Sequence, residues 1–212
     1  PQLMSVFIIM LIARSPVYGN FDHMQLVLQW PPTYCRSKPC KRTPSNFTVH
    51  GLWPDNKKYL LNNCKGDMFK GITDLHEQKK LDDRWPDLSS DSMGKQTFWE
   101  YEYNKHGTCC QKRYNQEEYF NLTMKLKDKF DLLRTLRNHG IVPGLARTVK
   151  QLGSAIETVT KVFPNLKCVP NGVNMELLEV GICFNPDATN VIPCHRPVKC
   201  HRDENMGVVL PR

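Results

Sequence analysis

The segment Met24-Gln25-Leu26-Val27-Leu28-Gln29-Trp30-Pro31-Pro32 decides the architecture. Met24, Leu26, Leu28 and Trp30 recur at every second position, with Gln25 and Gln29 between them. A two-residue period of this kind reads as a half-buried β-strand. Pro31-Pro32 stops it, because proline has no N–H to give to a ladder. Working outward, Asn46 to Val49 reads as a second short strand, closed by His50, with Phe47 and Val49 facing one way and Thr48 and His50 the other. Leu178, Val180, Ile182 and Phe184 alternate as a further strand. Between them the period lengthens. A helix is expected over Lys95–Lys105, with Gly107 as its stop signal. Asn115 makes a good N-cap, Glu118 follows three residues on, and Tyr119, Leu122, Leu126, Phe130, Leu133 and Leu136 continue at helical spacing. Val149, Leu152, Ile156, Val159 and Phe163 form another stripe, ended by Pro164. Asn56–Lys80 is polar, lysine-rich and weakly periodic, and reads as exposed loops with a short helical piece. The tail from Cys194 looks irregular. Helices clustered after the first strands argue against a regular βαβ repeat. They predict an α+β single domain, a central antiparallel sheet packed against helices.

The chain has 212 residues, of which 40% are hydrophobic. That is one domain, long enough to bury a core without staples. Nine cysteines are nevertheless many, and they point to an oxidising compartment and a disulfide-bonded fold. Leu3 to Ala13 is almost unbroken apolar sequence, shorter than the roughly 20 residues needed to span a bilayer. With the small residues up to Gly19, residues 1–19 read as a secretory signal peptide without its initiator Met and basic start. A buried N-terminal strand or helix is the alternative. The working domain is then 20–212, secreted to the extracellular space and free of the membrane after cleavage. Residues 1–19 contribute only Arg14 to a formal net charge of +8. A basic secreted chain suits a polyanion such as RNA, DNA, acidic glycans or a cell wall, and charge alone does not choose among them. Asn46-Phe47-Thr48 and Asn121-Leu122-Thr123 are sequons, so Asn46 and Asn121 are the expected glycosylation sites.

Two histidines stand out by context. His50 is followed by Gly51-Leu52-Trp53-Pro54-Asp55. His106 ends Phe98-Trp99-Glu100-Tyr101-Glu102-Tyr103-Asn104-Lys105-His106. There Glu102 and His106 are four residues apart and Lys105 is three from Glu102, so one helical face presents an acid, a cation and an imidazole. Cleavage of RNA by its own 2′-OH needs such a set. One group takes the hydroxyl proton, another protonates the departing 5′-oxygen, and a cation stabilises the charged phosphorane. That chemistry needs no metal or cofactor. On residue pattern alone, the same histidines also suit structural roles at a strand end and a helix end. A zinc site is disfavoured, because neither an HExxH motif nor paired CxxC occurs.

Phe47-Thr48-Val49-His50-Gly51-Leu52-Trp53-Pro54-Asp55 and Phe98 through Cys109 resemble the two active-site segments of T2-type ribonucleases. Met24 to Cys35, the helix after Asn115 and Glu179-Val180-Gly181-Ile182-Cys183-Phe184 extend the likeness, which is strongest to the nightshade S-RNases of pollen rejection. The resemblance implies His50 and His106 as the acid–base pair, usually acid and base in that order, with Glu102 and Lys105 stabilising the transition state. It implies single-stranded RNA as substrate, cleaved through a 2′,3′-cyclic phosphate. Trp53, Asp55, Phe98 and Tyr59 match base-binding positions. Tyr101 stands where many members carry a third histidine, implying a weaker phosphate or 2′-OH contact. Implied disulfides are Cys35–Cys40, Cys64–Cys109, Cys168–Cys200 and Cys183–Cys194, with Cys110 left over. The family further implies a monomer that meets pollen F-box proteins through Asn56–Lys80. An S-like enzyme of defence or phosphate salvage, or a silent RNase-like glycoprotein, are the alternatives.

Overall fold

Strand β1 (His23–Gln29) lies inside the sheet, paired antiparallel to β2 (Thr48–Asp55) on one edge and to β5 (Asn174–Phe184) on the other. A computed structural model of the chain describes residues 20–91, 95–198, 200 and 202–212, so the expected signal peptide, 1–19, lies outside the described residues. The half-buried expectation for β1 is corrected. Val27 and Gln29 are as covered as Met24, Leu26 and Leu28, and Gln25 alone in the strand stays partly exposed. Pro31-Pro32 ends the strand and also opens a helix, α1 (Pro31–Ser37), where a missing N–H costs nothing.

The second strand is longer than expected and runs on through Trp53 and Asp55. Pro54 is tolerated because β2 is an edge strand, with β1 as its single neighbour in the sheet order. His50 therefore lies inside the strand rather than closing it.

The helices follow their local signals. Asp74 caps α2 (Leu75–Arg84). α3 (Thr97–Lys105) runs into a 3₁₀ turn, Gly107–Cys110. Asn115 and Glu118 form the expected capping box on α4 (Gln116–Lys129). One continuous helix to Leu136 is not seen. Asp131 accepts the Arg134 N–H and starts α5 (Leu132–Asn138) afresh, with Leu133 and Leu136 still buried. After β3 (Ala146–Thr148), Thr148 and Gln151 box the start of α6 (Val149–Thr160). Lys161, at φ 64°, ends α6 before Pro164, and the last members of its expected stripe, Val159 and Phe163, are both 42% exposed.

β4 (Asn165–Asn171) forms a hairpin with β5. β6 (Val191–Ile192) joins β5, and the tail from Cys194 is not wholly irregular: its β7 (Gly207–Val209) joins β5 in parallel. Helices cover one sheet face around Trp85, Tyr103, Tyr119 and Phe120. The Tyr119 hydroxyl donates to the Leu52 carbonyl at 2.8 Å, pinning α4 to β2. Disulfides join Cys35–Cys40, Cys64–Cys109, Cys168–Cys200 and Cys183–Cys194, and Cys110 is a buried free thiol.

Candidate active site

The site begins with an irregularity in β2. Val27 pairs with Gly51 and Leu28 with Val49, so His50 is the extra residue of a β-bulge. A bulge turns its side chain out of the ladder and frees its backbone. The freed His50 carbonyl accepts the Trp85 indole N–H at 2.9 Å. Val49 and Leu52 stay in the core, while His50 and Trp53 are only partly buried. Gly51 is required here by close approach. A Cβ on it would lie 2.3 Å from Trp53 Nε1 and 2.4 Å from Glu102 Oε2.

The second half comes from α3. The His106 N–H closes the helix on the Glu102 carbonyl at 2.9 Å, so carboxylate and imidazole leave the last turn together. Trp53 joins the two halves. Its indole N–H donates to Glu102 Oε2 at 3.0 Å, its ring stacks on His106 at 5.1 Å, and it meets His50 edge-on at 5.2 Å. Both imidazoles thus pack on one indole. Phe98 stacks against His50 at 6.3 Å. Lys105 Nζ reaches the Tyr101 hydroxyl at 3.2 Å, at the exposed edge.

The electrostatics differ sharply between the histidines. Burial, then the charges of Lys105 and His50, push His106 down to about 3. Its Nδ1 is buried without a hydrogen-bond partner among the described residues. His50 instead has a carboxylate at each ring nitrogen: Glu179 Oε1 at 2.8 Å from Nδ1, and Glu102 Oε1 at 3.8 Å from Nε2. Burial pushes the Glu102 carboxyl above its usual range, against the pulls of His50, the Trp53 hydrogen bond and Lys105.

His50, His106, Glu102, Trp53 and Phe98 therefore meet in one cluster, with Lys105 and Tyr101 at its rim. Asp55 and Tyr59 do not join it. The Asp55 carboxylate is held by the Arg196 guanidinium and by the N–H groups of Asn56 and Leu61. Tyr59 is 47% exposed in the loop after β2. Sequence reasoning missed Glu179 and Lys167. The one available signal was a glutamate set among the apolar positions of a core strand. Beside them, a cavity of about 310 Å³ runs over the sheet past Trp53, Val27, Asn165 and Gly181. A cleft of about 360 Å³ between α2 and α4, lined by Asp74, Glu77 and Phe120, contains no histidine. Asp22, His23 and His195 could offer a metal ligand atoms within 4.8 Å of one another, at the other end of β1. Asn46 and Asn121 are exposed.

Residues 21–194 match the model of the ribonuclease T2 family. Ribonuclease S-6 of Nicotiana alata is 53% identical over 99% of this chain and 98% of its own length. The crystal structure of the self-incompatibility-associated SF11-RNase of Nicotiana alata superposes with a TM-score of 0.84 and 43% identity, covering 91% of this chain and all of that one. An RNase MC1 variant in complex with 5′-GMP gives 0.79 and 30%, covering 90% of this chain and all of that one. The chain belongs to the ribonuclease T2 family. Its activity class is endoribonuclease, acting on RNA. No helix among the described residues is long and apolar enough to cross a membrane.

Proposed function

We propose that the chain is a secreted pistil ribonuclease of self-incompatibility that cleaves single-stranded RNA by metal-independent acid–base transesterification. The observation that carries the mechanism is the pair of imidazoles packed on Trp53 in opposite electrostatic surroundings. His106, pushed down to about 3, is neutral at ordinary pH and fits the base that removes the 2′-OH proton. His50 Nδ1 rests on the Glu179 carboxylate, which leaves Nε2 to protonate the departing 5′-oxygen. As the 2′-oxygen attacks phosphorus, charge builds on the non-bridging oxygens. Lys105 stabilises that charge, and Glu102 holds Trp53 and faces His50. Products are a 5′-hydroxyl end and a 2′,3′-cyclic phosphate, then hydrolysed to a 3′-phosphate. Bases stack on the partly buried rings of Phe98 and Trp53. Asp55 contributes only by releasing Arg196.

The pistil role is supported by relatives named as S-RNases. Within Asn56–Lys80, Leu60, Met68 and Leu75 are 60–75% exposed among the lysines, a surface suited to a protein partner such as a pollen F-box protein. A monomer that carries glycans on Asn46 and Asn121 fits the exposure of both asparagines. An S-like role in phosphate salvage would use the same chemistry, and tissue of expression separates the two. The decisive assay is RNA digestion by purified protein in EDTA, beside His50→Ala and His106→Ala. Full activity in EDTA with loss in both variants is expected. A divalent-ion requirement, or cleavage that survives both substitutions, overturns the mechanism.

A further inference from the structure

Glu179 and Lys167 sit on the middle of the sheet, opposite one another on β5 and β4. The register skips Leu178, whose carbonyl is taken by the Trp30 N–H at 2.8 Å, so a second bulge lies immediately before Glu179. Each Glu179 oxygen has one partner. Oε1 lies 2.8 Å from His50 Nδ1, and Oε2 lies 3.0 Å from Lys167 Nζ. The carboxylate is 8% exposed and thus largely withdrawn from water, whereas Lys167 is 53% exposed. A carboxylate so buried persists only when paired.

We propose that Glu179 is the positioning residue of His50: it holds the proton on Nδ1, fixes the ring against rotation and so dedicates Nε2 to the leaving group, with Lys167 fixing Glu179 in turn. The inference rests on His50 acting as the general acid. In that step the Nε2–H bond breaks, a new O–H bond forms on the 5′-oxygen and the P–O5′ bond breaks, while the Nδ1–H bond stays intact and donates to Glu179. Burial pushes the Glu179 carboxyl up, but the His50 hydrogen bond and charge and Lys167 outweigh it, so it stays ionised below its usual range. The other groups facing this pair are Glu102 and, through it, Lys105 on α3, His106 at the end of α3, and Tyr34 of α1, whose hydroxyl is raised by burial and by the charges of Asp87 and Glu179.

The test compares two substrates on Glu179→Gln, which keeps the shape and removes the charge. A dinucleoside monophosphate needs a proton on its leaving alkoxide, whereas uridine 3′-(4-nitrophenyl phosphate) releases a stable phenolate and does not. The expected kcat loss is on the order of 10²-fold on the first, within what a whole general acid supplies, and little on the second. Equal losses on both substrates overturn the proposal. If Glu179→Gln does not fold, Lys167→Met must show the same leaving-group selectivity at smaller amplitude, and its absence overturns the proposal equally. His50→Ala separates the premise: if it cleaves the dinucleotide normally, the assignment of the acid fails instead.

Discussion

His50 and His106 share one neighbour, Trp53, and little else. His50 projects from a bulge in an edge strand, with a carboxylate at each ring nitrogen. His106 ends a helix, is 8% exposed, and keeps a buried Nδ1 with no polar partner among the described residues. Two identical side chains thus meet different surroundings, one flanked by carboxylates and one closed off from polar partners. The difference teaches that, in the proposed mechanism, the roles of acid and base follow from surroundings and not from residue type.

Removing either imidazole tests that contrast most severely. His50→Ala and His106→Ala are each expected to lower kcat/KM on RNA by about 10²–10⁴, and the double variant little further, because both act on one transition state. Additive losses in steady-state assays would separate the two histidines into unrelated roles.

The next effect is on stability against pH. The unfolded chain binds a proton at His106 as pH falls through about 6.5, and the folded chain does not until about 3. Stability from this site is therefore present above 6.5 and is lost progressively between 6.5 and 3, by up to about 1.4 kcal/mol per pH unit. Urea titrations at pH 7 and pH 4 should show a smaller fall for His106→Phe than for the parent. The same shift puts the acid limb of turnover well below pH 6.5, and Lys105→Met, which removes a charge that helps depress His106, should move that limb upward.

Gly51→Ala forces a methyl group against the Trp53 indole and the Glu102 carboxylate. A loss of about 1–3 kcal/mol in thermal unfolding is expected, with a change in indole fluorescence. An unaltered Tm would show that Trp53 is not seated on Glu102. Smallest is Gln111→Ala. Gln111 ties the Asp67 backbone to the Tyr103 hydroxyl, so the variant should lose about 1 kcal/mol and expose the 56–74 loop to protease, with turnover unchanged. A fall in turnover would link that loop to the histidines.

Much of the frame was legible locally. The strands around Leu26 and Ile182, the Asn115 cap and the facing of Glu102 and His106 on one helix turn all follow from short-range periodicity, and the structure keeps each of them, although both strands are buried on both faces where alternation predicts one. The misreadings have tertiary causes. The second strand, expected to close at His50, runs on through Pro54 because it lies at an edge of the sheet. Phe163 lies beyond the end of α6 and Val159 falls on its exposed side, although both keep helical spacing. At Phe130–Asp131 the apolar stripe continues while a new cap restarts the helix.

The order of residues alone determined the repeating patterns, the excess positive charge and the presence of two histidines in distinctive surroundings. It did not reveal that His50 would meet Glu179, 129 residues away, or that Trp53 would bridge to Glu102. Those meetings depend on which distant segments come to share a desolvated volume. Periodicity reports the face a side chain occupies, but a proton's preferred site depends on the charges and the water that folding leaves around it.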